Sequence, residues 1–331
     1  MASPSQISQQ IGDALPQVLL LRNLLPFSLI NKPLPDDRFH FLRAWESSVP
    51  LDEFVLANAQ SVRAVVTSGG APVTADLLRM LPDLQFVLTT TAGLNHIDLD
   101  ECRRRGIAVA NAAGVFSEDV AEVAVCLLID VWRRISAGDR YIRAGRWVGI
   151  GAFPLGFKLR GKRVGIVGLG RIGMEVAKRL DAFGCIVSYN SRNQKTDIAY
   201  PFFPNLRDLA SNSDALVICC GLTDETHHMI DKEVMMTLGK EGVIVNIGRG
   251  PIIDEKEMVE LLVKGELGGA GLDVFENEPD VPKELMGLDN VVMTPHCGAL
   301  TRESFLTLCE LVVGNLEAFF SNRPLLSQVQ L

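Results

Sequence analysis

Residues 163–173 read Arg163-Val164-Gly165-Ile166-Val167-Gly168-Leu169-Gly170-Arg171-Ile172-Gly173, and this stretch decides the fold. A short apolar strand runs straight into a Gly-x-Gly-x-x-Gly turn. Ile172, Val176, Leu180 and Phe183 then fall on one face of a helix, and a second strand begins at Ile186. The glycine motif alone is a weak signal. Preceded by a strand, followed by a helix and then by a second strand on schedule, it reads as a dinucleotide-binding βαβ unit. Gly168 permits the tight turn, Gly170 lets the backbone approach a pyrophosphate, and Gly173 lets helix and strand pack closely. The helix N-terminus offers free N–H groups and the positive end of its dipole to the phosphates.

Outward from this unit the same alternation covers most of the chain. Strand-like runs are Val18–Leu21, Ala64–Thr67, Phe86–Thr89 and Ile107–Ala110 before it, then Ile186–Tyr189, Ala215–Cys219, Val243–Asn246, Gly269–Val274 and Val291–Met293. Helical-period stretches separate them, which implies parallel sheets with crossover helices. After Val243–Asn246, Asp254 is placed to cap a helix, with Glu257 three residues on, Met258, Leu261 and Leu262 as its apolar stripe and Gly265 as its stop. The long apolar segment Val115–Ile135 reads as a buried helix leading from a first α/β unit into a second. The helical stretch Thr301–Phe320 follows the last strand and is expected to return to the first unit. The fold class is therefore α/β, with two Rossmann-like or flavodoxin-like parallel-sheet domains and the ligands expected in the cleft between them. Residues 1–101 plus 295–331 would form a discontinuous substrate-binding domain, and residues 102–294 the nucleotide-binding domain.

Composition narrows the function. The chain has 331 residues, enough for two domains, with 47% apolar and 22% charged residues and a formal net charge of −8. An acidic balance argues against nucleic acid or an anionic membrane as partner. No run approaches a membrane span, and Val18–Ile30 is broken by Arg22, Asn23 and Pro26. The first twenty residues lack Arg and Lys, against a transit peptide, and the terminal Gln328-Val329-Gln330-Leu331 is no peroxisomal address. Seven scattered cysteines (Cys102, Cys126, Cys185, Cys219, Cys220, Cys297, Cys309) show no metal-ligand spacing and fit a reducing compartment, so cytosol is expected and no metal site.

The second strand of the motif unit selects the dinucleotide. An NAD-binding unit usually carries Asp or Glu at its end, to hold the ribose 2′-hydroxyl. Here the chain continues Asn190-Ser191-Arg192-Asn193-Gln194-Lys195, with no carboxylate until Asp197. A hydroxyl, a guanidinium and an ammonium suit a 2′-phosphate, so Ser191, Arg192 and Lys195 point to NADPH.

Chemistry gathers after the later strands. Asn246-Ile247-Gly248-Arg249-Gly250, Asp273-Val274-Phe275-Glu276-Asn277-Glu278-Pro279 and Thr294-Pro295-His296-Cys297-Gly298 each follow a strand, where open α/β sheets bind ligands. Arginine, glutamate and histidine delivered to one edge can run carbonyl reduction. The arginine clamps a carboxylate and polarises the carbonyl, the histidine supplies the proton as hydride reaches carbon, and the glutamate orients the imidazole and favours its protonated form.

At these residues the chain resembles the D-2-hydroxyacid dehydrogenase family, with motifs in order over nearly its whole length. The phrases Tyr189-Asn190-Ser191-Arg192, Asn246-Ile247-Gly248-Arg249-Gly250-Pro251, residues 268–276 and Arg323-Pro324-Leu325-Leu326 match its plant glyoxylate/hydroxypyruvate reductase branch, which includes hydroxyphenylpyruvate reductases. The resemblance implies Arg249, Glu278 and His296 as the catalytic triad and Asp273 at the nicotinamide carboxamide. Glu276 is a competing carboxylate, but the pattern places the catalytic one immediately before Pro279. Cofactor contacts are then expected from Gly168, Gly170, Arg171, Ile172, Gly173, Ser191, Arg192, Lys195, Thr223, Ile247 and Asp273. In the first unit the resemblance points to Gly69, Gly70, Ala92 and Gly93 as backbone donors to the substrate carboxylate, joined by Arg249.

The implied activity is NADPH-dependent reduction of 2-oxo acids, glyoxylate and hydroxypyruvate, to D-2-hydroxy acids, with 4-hydroxyphenylpyruvate as an alternative substrate. A reading of another class is a dinucleotide-sensing, corepressor-like regulator on the same fold. Trp147, in Arg143-Ala144-Gly145-Arg146-Trp147, falls in a region that is a dimerisation arm in such proteins, so a homodimer is expected. His40 and the pair His227–His228 read as structural, and His96, at a position that the resemblance gives to an acid or amide, is not counted as catalytic. Cys297 departs from the usual small aliphatic residue beside the histidine, and so does Ala299-Leu300-Thr301 from the usual loop.

Overall fold

Short runs of buried β-branched and aliphatic residues form the strands of two separate parallel sheets. The computed structural model describes residues 15–331; the expectation about transit signals falls, for residues 1–14, outside the described residues. The chain divides into Met1–Ala113 with Phe305–Leu331, and Gly114–Ser304.

The first unit runs β1 (Gln17–Leu20), α1 (Leu25–Leu29), β2 (His40–Arg43), α2 (Leu51–Asn58), β3 (Ala64–Thr67), α3 (Ala75–Arg79), β4 (Phe86–Thr89), α4 (Leu99–Arg105) and β5 (Ala108–Ala110). All five strands are parallel, in the order β2-β1-β3-β4-β5. Every residue of β3 and β4 is buried, as expected of strands covered on both faces. The strand β2 was not anticipated. It is an edge strand of four residues with an exposed first residue, and its brief apolar alternation about His40 carries little signal.

The second unit begins with α5 (Ser117–Arg133), α6 (Ile135–Arg143) and α7 (Arg146–Ile150), then β6 (Arg163–Val167), α8 (Arg171–Ala182), β7 (Ile186–Asn190), α9 (Leu206–Ser211), β8 (Ala215–Ile218), α10 (Lys232–Leu238), β9 (Val243–Asn246), α11 (Glu255–Lys264), β10 (Gly269–Leu272) and β11 (Val291–Met293). Its six parallel strands follow the order β11-β10-β9-β8-β6-β7. Strand order reverses between β6 and β8, the switch point at which open α/β sheets take their ligands. The helix α5 buries Ala124, Leu127, Leu128, Val131 and Trp132 in one core cluster with Val164 and Ile166 of β6 and Val245 of β9.

The helix α11 forms as its sequence dictates. Asp254 accepts from the Glu257 N–H at 3.2 Å, Met258, Leu261 and Leu262 are buried, and Gly265 ends the helix at φ +71°. The Glu257 carboxylate takes Lys232 Nζ at 2.7 Å instead of completing a capping box. A cap of this kind contributes about 1 kcal/mol.

The last helix, α12 (Arg302–Phe320), lies mostly in the first unit. There Phe319 stacks on Phe86 with ring centroids 5.0 Å apart, and the terminal segment pairs with β5 through Val329 N–H to Val109 O, 2.8 Å. The units divide after Ala113 and Ser304, not after residues 101 and 294 as read from sequence. The rest of α4 and β5 complete the first sheet, and the loop after β11 is tied back to Asp273 of the second unit through the His296 N–H.

Candidate active site

In the second unit Gly168 leaves β6 at φ +94°, and a Cβ there would lie 2.7 Å from the Cys220 backbone nitrogen. A Cβ on Gly173 would lie 2.2 Å from the Gly168 carbonyl oxygen, so the turn and α8 close on each other. Nothing lies within 4 Å of a Cβ built on Gly170. The fold itself does not require glycine at 170, which leaves room for a ligand against the backbone. Gly170 also heads α8 without a side-chain cap, so the first-turn N–H groups have no such acceptor. Arg171 is exposed and Ile172 half-buried at this helix start.

At the end of β7, the buried Tyr189 accepts the Lys195 N–H on its phenol oxygen at 2.8 Å, pinning the loop between them. Ser191 Oγ donates to Asn193 O at 2.6 Å, while Arg192 and Lys195 are exposed. An acidic group from another loop, Glu225, feels the charge of Arg192. It titrates below the usual carboxylate range, held down first by the Thr223 hydroxyl and also by that charge. Thr223 itself is exposed, its N–H bonded to Thr226 Oγ1 at 2.8 Å. Ile247 is 6% exposed and belongs to the core cluster, so it offers a ligand its main chain at most.

The Arg249 loop is built by Asn246, a buried side chain that the sequence reading passed over. Asn246 accepts the Gly248 N–H at 3.0 Å and donates to Arg249 O at 2.9 Å, folding the chain about the arginine. A Cβ on Gly250 would sit 1.9 Å from the Phe275 carbonyl carbon, so only glycine lets this loop lie on the 275–276 peptide. Burial lowers the Arg249 guanidinium below the usual arginine value and the nearby Glu278 charge opposes the drop. It stays cationic at neutral pH.

Glu278 takes the Phe275 N–H on Oε1 at 3.1 Å, and its Oε2 lies 2.7 Å from His296 Nδ1. His296 Nε2 has no hydrogen-bond partner among the described residues, and the side chain is 47% exposed. The imidazole is therefore held at one nitrogen and open at the other. His296 sits at φ +50°, a left-handed conformation stabilised by its N–H bond to Asp273 O at 2.8 Å. Arg249, Glu278 and His296 are thus brought together, while Glu276 turns to His228, Nε2 to Oε1 3.0 Å.

Asp273 is 2% exposed, and its carboxylate accepts from Thr294 Oγ1 at 2.6 Å and from the Cys297 and Gly298 N–H groups at 2.9 Å each. Its visible work is to hold the His296 loop. Burial, then the Asp273 charge, pushes the Cys297 thiol up, so it stays protonated and slow to oxidise. Burial likewise raises Cys219, and it raises Cys220 to about 11.

Gly69, Gly70, Ala92 and Gly93 lie in the first unit, in the loops after β3 and β4. Their four N–H groups make no hydrogen bond among the described residues, whereas the flanking polar groups are tied down, Thr91 Oγ1 to Gly93 O at 2.8 Å and Thr89 Oγ1 to His96 Nε2 at 3.0 Å. The Arg22 guanidinium lies over Gly70, within 1.8 Å of where a Cβ would be. It has no ion pair among the described residues. Sequence reading saw Arg22 only as a break in an apolar run.

Comparison with known proteins identifies the family of the chain. Residues 125–298 match the model of the D-isomer specific 2-hydroxyacid dehydrogenase, NAD binding domain. The chain is 54% identical over 316 residues to a glyoxylate/hydroxypyruvate reductase of Arabidopsis thaliana, covering 96% of this chain and 98% of the relative. It is 48% identical over 306 residues to the hydroxyphenylpyruvate reductase of Plectranthus scutellarioides, covering 92% and 97%. A solved NADPH-dependent glyoxylate/hydroxypyruvate reductase from Sinorhizobium meliloti, in complex with NADP and malonate, superposes with a TM-score of 0.85 at 34% identity, covering 96% and 97%. With the glycine loop and the Arg249, Glu278 and His296 cluster in place, the chain belongs to the D-isomer specific 2-hydroxyacid dehydrogenase family.

Proposed function

We propose that this protein is an NADPH-dependent reductase that converts glyoxylate and hydroxypyruvate to glycolate and D-glycerate. The observation that carries the reading is the His296–Glu278 pair, 2.7 Å apart, with Nε2 of the imidazole open. That is the geometry of a general acid whose proton is placed by its partner. The second unit fits a dinucleotide: the space at Gly170, the uncapped start of α8 and the main chain of Ile247 suit its phosphates and adjoining groups. Ser191, Arg192 and Lys195, with no carboxylate before Asp197, suit a 2′-phosphate, and Thr223 is placed near them through Glu225, which binds its hydroxyl and feels the Arg192 charge. When bound, the nicotinamide supplies the hydride.

The chain's own residues do the rest. Arg249 holds the substrate carboxylate and polarises the carbonyl. His296 Nε2 gives its proton to the carbonyl oxygen, while Glu278 stabilises the imidazolium before transfer and fixes the ring. Asp273 keeps the histidine loop in place and, through its remaining acceptor capacity, is assigned to the nicotinamide carboxamide. The first unit is the substrate-binding domain, with Gly69, Gly70, Ala92 and Gly93 N–H groups as the anion nest. The second reading, 4-hydroxyphenylpyruvate as substrate, is favoured by the 48% identity to a hydroxyphenylpyruvate reductase.

Two further assignments belong to this reading. The protein is a homodimer, supported by the exposed apolar arm of Trp147, Val148 and Ile150, of which Val148 is 97% exposed. It works in the cytosol, supported by seven free cysteines and, among the described residues, no helix long and apolar enough to cross a membrane. The test is steady-state oxidation of NADPH and of NADH with each of the three 2-oxo acids. Turnover with NADPH is expected, and the kcat/KM ranking names the substrate. Tight NADPH binding without turnover on any of them would transfer the weight to the dinucleotide-sensing regulator.

A further inference from the structure

Away from the His296–Glu278 pair, the second unit gathers two more imidazoles and a carboxylate. His227, His228 and Glu276 each present one ligand atom, and these atoms lie within 4.8 Å of one another. His228 Nε2 and Glu276 Oε1 are already 3.0 Å apart, and the His227 ring stacks on His228 with centroids 4.0 Å apart. A tetrahedral zinc ion with nitrogen and oxygen ligands at about 2.0–2.1 Å needs its ligand atoms about 3.3 Å apart. The His228 and Glu276 atoms, at 3.0 Å, need to part by only about 0.3 Å, and the third atom, within 4.8 Å of both, belongs to an exposed side chain.

The surroundings favour an ion as well. Both histidines come from one turn whose backbone is fixed, His227 N–H to Thr223 O at 3.0 Å and His228 N–H to Pro251 O at 2.8 Å. His228 adopts φ +50°, which sets the adjacent imidazoles side by side. Behind the ring, Nδ1 of His228 faces Asp254 Oδ2 at 3.9 Å, the place of the outer carboxylate that commonly orients a ligating histidine. The Glu276 N–H is anchored on Glu255 Oε2 at 3.0 Å. The ligand set of two imidazoles and one carboxylate is that of borderline transition ions rather than calcium or magnesium.

We propose that His227, His228 and Glu276 bind one divalent transition ion, zinc or its neighbours cobalt and nickel, in place of the direct contact between His228 and Glu276. The ion would tie the 223–230 turn to the loop that carries Glu278, so occupancy would raise the melting temperature. The site is distinct from the reaction proposed above and stands whether or not that reading holds.

Equilibrium dialysis of the full chain against zinc, with visible absorption of added cobalt as a second readout, tests it. The expected result is one equivalent bound in the micromolar range. His227→Gln and Glu276→Gln should each weaken binding by at least the roughly 10–100-fold that loss of an outer-shell partner costs. His296→Gln should bind as the parent does. His227 is exposed, so its replacement leaves the fold intact, and circular dichroism checks the other two. No uptake by the intact chain, uptake unchanged in both variants, or uptake abolished by His296→Gln would each overturn the proposal.

Discussion

The carboxylate of Asp273 grips the N–H of Gly298 at 2.9 Å, and in doing so fixes a loop whose other notable member is His296. Asp273→Asn keeps the size but turns an NH2 group toward backbone donors that need an acceptor. A buried donor left unsatisfied costs about 1–3 kcal/mol. The variant should melt lower and lose kcat more than it gains KM, because the imidazole is no longer held. Equal parent and variant kcat would mean that the loop holds itself.

Replacing His296 by Asn should lower kcat/KM for reduction by roughly 10²–10⁴, the usual worth of a general acid. Dinucleotide affinity, measured by fluorescence titration, should not change. Glu278→Gln should lower kcat by roughly tenfold or more while leaving dinucleotide affinity alone, since it weakens the contact at 2.7 Å that holds the ring by Nδ1. A variant with the parent's kcat would remove Glu278 from the positioning of the imidazole.

Cofactor choice is open to a charge swap at the end of β7. Arg192→Ala should weaken the preference for NADPH over NADH roughly tenfold to a hundredfold, the worth of one charge-assisted hydrogen bond. Ser191→Asp should reverse it, by offering the ribose hydroxyls a carboxylate and repelling the 2′-phosphate. An unchanged kcat/KM ratio in both variants would assign the selectivity elsewhere.

Glu255 gives a test of stability against pH. It is 7% exposed, and burial, aided by the Glu276 and Glu278 charges and opposed by the Glu276 N–H, raises its carboxyl above the usual 4.5. A group whose folded value is raised contributes stability that is complete below its unfolded value and is lost as pH climbs through the folded one. Glu255→Gln should therefore gain stability relative to the parent as pH rises from about 4.5 to neutrality. Urea unfolding at the two ends of that range measures it; a difference independent of pH would place the charge in water.

The exposed arm supplies the last expectation. Val148→Asp puts a charge at the centre of an apolar surface and should shift the mass seen by light scattering from dimer to monomer. A parent that is already monomeric at working concentration would contradict the dimer outright.

These residues also show what a sequence discloses. The strands were readable because a parallel sheet covered on both faces needs unbroken apolar runs, as in Ala64–Thr67 and Phe86–Thr89. The α11 helix was readable from its own ends, Asp254 and Gly265. By contrast, β2 is a short edge strand, and edges place weaker demands on sequence. Among the site residues, the glycine turn and the Arg249, Glu278 and His296 cluster carry local patterns. The grip of Asp273 on the histidine loop and the seat of Arg22 over Gly70 are contacts made by folding: Asp273 and Cys297 lie 24 positions apart in sequence, Arg22 and Gly70 48. No local pattern announces such pairs.

The interrupted first unit has a consequence for how the molecule is made. Its sheet leaves the ribosome early, but the helix carrying Phe319, which covers Phe86, emerges only after the whole of residues 114–304. At roughly 5–20 residues per second, that delay lasts about 10–40 s. During it the nascent first sheet has an uncovered apolar face, while the intervening unit has everything it needs to finish. The domain that starts first is therefore completed last, and chaperone dependence should concentrate in that interval.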